Sequence, residues 1–131
     1  MISAWLLAAQ LAGVSPMPMP PQDWSVLAPL PLTRDADDGA GVSAFVRSEV
    51  QAGRCHAATA TPTGSMLKVD LAVLLAAPGQ PRRIVPRAIG CPAVEQYAAG
   101  LVSSMVRSTS PVAPVDAGSW YRTSLTFSWS Q

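Results

Sequence analysis

Cys55 and Cys91 are the only cysteines in the 131-residue chain, and His56 is its only histidine. Three chemistries compete for the cysteine pair. A structural zinc site takes four Cys or His ligands, and this chain is one short even with His56 added. A redox pair favours Cys-x-x-Cys spacing in a thioredoxin-like setting, and both are missing. In a small exported domain two cysteines ordinarily close a disulfide, which is the expectation here. A lone histidine excludes two-histidine chemistry and would make a Ser–His–Asp arrangement depend on one loop residue. There is no Gly-x-Ser-x-Gly elbow and no phosphate-cradling glycine loop. Paired carboxylates for glycoside chemistry would have to come from Glu49, Asp70, Glu95 and Asp116. Asp70 falls on the polar face of a predicted strand, Glu95 opens a helix where its charge suits the dipole, and Asp116 lies in a loop. The pattern predicts a non-catalytic protein that uses no cofactor and no metal.

The side chains suited to a partner are the arginines. Arg82, Arg83 and Arg87 follow one another along a predicted strand, and Tyr121 and Arg122 open the last one. Arginines so placed suit an acidic partner, a peptide carboxylate or lipid headgroups, although edge strands also carry charge to prevent aggregation. The last strand is in addition a candidate to accept a partner's strand by β-augmentation. Its Tyr121, Phe127 and Trp129 suit a core better than a partner contact.

The formal charge is +1. Residues 1–41 carry four aspartates against Arg34, and the remainder carries eight basic against four acidic side chains. Nucleic-acid binding would call for a more basic and more clustered surface, so no nucleic-acid partner is expected.

The N-terminal third reads as an address and a spacer. Met1 to Val14 is an apolar stretch shorter than the ~20 residues that cross a bilayer. It fits the hydrophobic region of a secretory signal peptide over residues 1–15, with small residues for cleavage near Ala12–Ser15. Export to the periplasm or outside the cell follows, with no transmembrane span in the mature chain. Residues 16–41 read as a flexible Pro-rich and acidic segment, with prolines at 16, 18, 20, 21, 29 and 31. Trp24 within it is placed to fold back onto the domain.

The folded domain is expected over residues 42–131. Val42, Phe45, Val46, Glu49 and Val50 have helical spacing, with Ser43 as a cap and Gly53 as a stop. Thr59 to Ser65 reads as a polar loop. Leu67 to Leu75 alternates as a strand, Ala77 to Pro81 is a turn, and Arg82 to Ile89 returns as a second strand. Pro86 marks that strand as an edge or a bulge. Pro92 starts a second helix whose stripe runs Val94, Tyr97, Ala98, Leu101, Val102, Met105 and Val106. After a loop, Trp120 to Trp129 alternates again. The fold class is α+β: a three-stranded antiparallel sheet with two helices on one face, in the order α-β-β-α-β.

This layout resembles the C-terminal domain of TonB-type energy transducers over about Ser43 to Trp129. The stretches that carry it are Leu67–Leu75, Pro78-Gly79, Ala88-Ile89-Gly90-Cys91-Pro92, Val94–Val106 and Tyr121–Phe127. The family's Tyr-Pro before the first helix is missing, and Val94-Glu95 stands where Leu-Asp is typical. The Pro-rich segment is too short to span a periplasm at ~3 Å per residue. The resemblance thus implies a TonB-like fold and a periplasmic address rather than energy transduction. The reading is a protein-binding module of the cell envelope, possessed of an edge for strand addition. Its alternative is a self-associating structural or assembly component, such as a homodimer.

Overall fold

The structure, a computed structural model, describes residues 18–32 and 40–131. The expected signal peptide therefore lies outside the described residues. A short 3-10 turn, Trp24–Val26, leads to strand β1 (Ala28–Pro29). Helix α1 (Ala40–Gln51), strands β2 (Thr59–Thr61), β3 (Gly64–Ala77) and β4 (Gln80–Pro86), helix α2 (Pro92–Ser108) and strand β5 (Trp120–Ser130) follow.

The class is α+β, but the sheet is larger than the sequence suggests. It has five strands and is mixed. β3 is its axis, paired antiparallel with β5 from Gly64↔Ser130 to Leu74↔Trp120. The other edge of β3 is shared, with β2 on Gly64–Met66 and β4 on Leu71–Ala77. β1 adds a parallel pairing on the far edge of β5, Ala28↔Tyr121 and Pro29↔Arg122. Two expectations are corrected. Thr59–Ser65 is not a loop but a hairpin, and its Gly64 is required because a Cβ there would overlap the Trp129 carbonyl. The Pro-rich segment, at least over residues 18–32, is not a free spacer. Leu30 and Leu32 pack against the core, and the Val112 N–H donates to the Pro31 carbonyl at 2.9 Å.

Both helices lie on one face of the sheet. Alternation places Leu67, Val69, Leu71, Val73 and Leu75 of β3 beside Tyr121, Leu125 and Phe127 of β5. Val46 of α1 and Val94, Ala98, Val102 and Val106 of α2 close over them, all buried. The α2 residues recur every four positions, the stripe an amphipathic helix buries. Gly53, at φ +78°, ends α1 in the left-handed region that glycine occupies without a steric penalty. Ser43 is not the cap expected of it. It sits inside α1, buried, and its hydroxyl accepts the Ser128 N–H at 3.2 Å, tying the helix to β5.

Candidate functional site

Cys55 and Cys91 form a disulfide, with Cα atoms 5.1 Å apart. It joins the segment after α1 to the N-cap of α2, and both residues are buried. The Glu95 carboxylate reaches back to accept the Ile89 and Cys91 N–H groups at 3.1 and 3.0 Å. This satisfies backbone donors that a helix start leaves open. Beside it Arg54 donates to Glu49 at 2.7 Å, and the hydrogen bond and charge of Glu49 raise the already high pKa of Arg54. The cluster is a staple between helices. Among the described residues no group of three or more His, Cys, Asp or Glu side chains could hold a metal.

The opposite face of the sheet carries no helix. Its side chains are the other half of each alternation, so Arg83, Leu74 and Trp120 form one cross-strand row. Val85, Ala72 and Arg122 form the next, and Arg87, Asp70 and Ser124 a third. The Arg87 N–H donates to the Asp70 carbonyl at 2.8 Å, which extends the β4 register to that row. The arm of residues 18–32 crosses these rows. Met19 Sδ lies 3.6 Å from an Arg83 terminal nitrogen. The Arg87 guanidinium stacks on Trp24, 4.0 Å from the ring centroid. Arg122 Nε donates to the Leu27 carbonyl at 2.9 Å, and the Leu30 N–H donates to the Arg122 carbonyl at 2.8 Å. Docking of Trp24 is thus the fold-back its sequence position suggests. Ala72 and Leu74 are consequently buried, although they face away from the helices.

A cleft of about 600 Å³ remains between arm and sheet, lined in part by Trp24, Lys68, Asp70, Arg87, Arg122 and Ser124. Its two acids are already engaged. Asp70 accepts the Ser124 hydroxyl at 2.7 Å and lies 3.8 Å from the Lys68 ammonium. Asp23 accepts the Ser25 hydroxyl at 2.6 Å and the Ser25 N–H at 3.0 Å. Those hydrogen bonds, with a smaller contribution from Arg87, hold the Asp23 carboxyl below its ordinary pKa.

The structure therefore divides the expected partner-binding residues. Arg87 and Arg122 meet in the cleft. Arg83 stands beside them at the arm, its Nε buried with no hydrogen-bond partner among the described residues. Arg82 falls at the register shift of β4 and lines a separate groove with Gln96, Ser103 and Arg107 of α2. Tyr121 is withdrawn from the surface. It is 7% exposed within the core, and its hydroxyl accepts the Asp116 N–H at 2.8 Å. The residues of the cleft that the sequence did not assign to a binding site are Lys68 and Asp70, brought there by the polar face of β3. The signal was Asp23-Trp24-Ser25, an Asp two residues before a Ser whose N–H it can accept.

The β4 and β5 edges are closed to strand addition at particular positions. On β4 the Arg87 N–H points inward, so Pro86 points outward and has no N–H to offer. On β5 the outward groups of Arg122 and Ser128 are taken by Leu30 and Ser43.

The chain matches no family model, no curated protein and no solved structure. Among the described residues no helix is long and apolar enough to cross a membrane.

Proposed function

We propose that this chain is an exported, non-catalytic binding domain, periplasmic or secreted, that holds a protein segment on the helix-free face of its sheet. The observation that carries this reading is the cleft between arm and sheet. A rigid β3–β5 ladder forms its floor, a stacked and a tethered arginine stand at its sides, and its three basic side chains outnumber its two acids. The disulfide and the apolar leader of residues 1–15 support the export address. The helices on one face and the β3–β4 hairpin before α2 and β5 support a TonB-like layout, with β1 and β2 added to it.

The test is capture from the native cell envelope, using a tag placed after Gln131 and mass spectrometry of what is retained. Recovery of an envelope protein, lost on mutation of the cleft, is the expected result. Recovery of the bait alone would end the binding reading.

The second reading, self-association, is favoured by one feature. β1 pairs with β5 through only two residues, and such an arm can dock equally on a second copy. Sedimentation at micromolar concentration decides it, because a monomer excludes an exchanged-arm dimer.

A further inference from the structure

We propose that the cleft between the arm and the helix-free sheet face binds an extended acidic peptide segment, with Arg87 and Arg122 as its carboxylate receptors. The proposal rests on the binding-domain reading above and names the ligand class of that same site.

The argument begins with which polar groups in the cleft still have capacity. Asp23 takes two hydrogen bonds from Ser25, and Asp70 takes one from Ser124 with Lys68 beside it. The three basic side chains of the lining, Lys68, Arg87 and Arg122, outnumber these two carboxylates, so the cleft favours an anionic ligand. Arg122 uses only Nε, toward the Leu27 carbonyl, and Arg87 rests its face on Trp24. Neither is paired with a carboxylate among the described residues. A guanidinium stacked on an indole loses rotamer freedom but keeps its in-plane N–H groups for a bidentate acceptor. A guanidinium tethered through Nε keeps its terminal nitrogens. Both arginines are thus oriented before any ligand arrives, which lowers the ordering cost of binding.

Spacing then selects the form of the ligand. Arg87 belongs to the Asp70–Ser124 row and Arg122 to the adjoining row, on strands either side of β3. With ~4.8 Å between strands and ~3.4 Å per residue, their Cα atoms stand roughly 12 Å apart. One small anion satisfies such a pair poorly. An extended segment with acidic residues at alternate positions offers two carboxylates about 7 Å apart on one side, within reach of two long side chains leaning inward. Lys68, with its side chain 57% exposed, extends the positive edge along β3. The arm forms one wall, so the opening admits a strand-like chain rather than a flat lipid surface.

The experiment titrates the full chain with the peptide Ac-Gly-Glu-Thr-Glu-Gly-NH2 and with its Glu→Gln counterpart, read by calorimetry and tryptophan fluorescence. Saturable binding of the acidic peptide alone is expected, weakening as salt is raised. Arg87→Gln and Arg122→Gln should each weaken it about tenfold, while Arg47→Gln on α1 leaves it unchanged. Retained disulfide and circular dichroism establish that the variants fold. Equal binding of both peptides, no saturable binding of the acidic one, or capture of phosphatidylglycerol vesicles in its place would each overturn the proposal. Envelope capture separates the two readings. A partner retained equally by the Arg87→Gln/Arg122→Gln double variant keeps the binding domain and removes this cleft as its site.

Discussion

The two faces of the sheet are made by the same strands and do opposite work. On the helix side every inward residue of β3 from Leu67 to Leu75 is buried against α1, α2 or β5. On the arm side the same strand presents Lys68 and Asp70 before Ala72 and Leu74 are covered. The helices seal one face through close-packed apolar contact. The arm covers the other with a stacking contact, a few hydrogen bonds and a cleft. Stability is therefore concentrated on one face and free polar groups on the other, because a packed apolar core cannot also offer unpaired donors.

Substitutions on the helix face should break this division most severely. Phe127 is 1% exposed and stacks toward Tyr97, with ring centroids 5.9 Å apart. Phe127→Ala is expected to cost about 3–5 kcal/mol, read from the denaturant midpoint. Opening the disulfide comes next. Replacing both Cys55 and Cys91 by serine opens a loop closed across a sequence separation of 36, and chain entropy puts the loss at roughly 3–4 kcal/mol. Ser43→Ala has a smaller effect. It strands the Ser128 N–H and should cost about 1 kcal/mol, with faster hydrogen exchange at that amide.

How much of each face was legible follows from the same physics. The helix face announces itself through period-two alternation in Leu67–Leu75 and Tyr121–Trp129 and through the stripe of α2, since burial against one partner leaves a periodic trace. The disulfide was legible because two cysteines with a single histidine in a small chain leave few alternatives. β1 and β2 were not. Ala28-Pro29 and Thr59-Ala60-Thr61 have no periodicity of their own, and pairing with distant residues Tyr121, Arg122 and Gly64–Met66 makes them strands. The unbroken apolar run Leu71–Leu75 did carry a trace of the arm, for a strand buried on both faces loses its alternation. Tyr121 was read both as core and as a possible partner contact for a related reason. A tyrosine beginning an alternating strand suits a surface or a core, and only the Asp116 N–H that its hydroxyl accepts decides between them.

The arm face is sharpened by weaker perturbations. Trp24→Ala removes the platform under Arg87. A partly exposed cation–π contact contributes only about 0.5–1 kcal/mol, so the denaturant midpoint should move little. Limited proteolysis should nevertheless cut the variant within residues 18–32 sooner than the parent. Equal cleavage rates would mean that Leu30 and Leu32, rather than Trp24, hold the arm.

Acid provides the gentlest probe, and its sign is fixed by Asp23. The Ser25 hydroxyl and N–H, aided by Arg87, hold its carboxyl below the ordinary value of 3.8. A group whose folded pKa is depressed contributes fully above its unfolded pKa and loses that contribution as pH falls through the folded value. Docking of the Asp23-Trp24-Ser25 turn should therefore be constant from neutral pH down to about pH 4 and loosen only below it. Indole fluorescence, compared between the parent and Trp24→Phe, isolates that turn. Asp23→Asn should remove the acid step while leaving the neutral-pH fluorescence close to that of the parent. Should the step persist in Asp23→Asn, its source would lie outside the Asp23-Trp24-Ser25 turn, and the arm would be responding to the rest of the domain rather than to its own capping carboxylate.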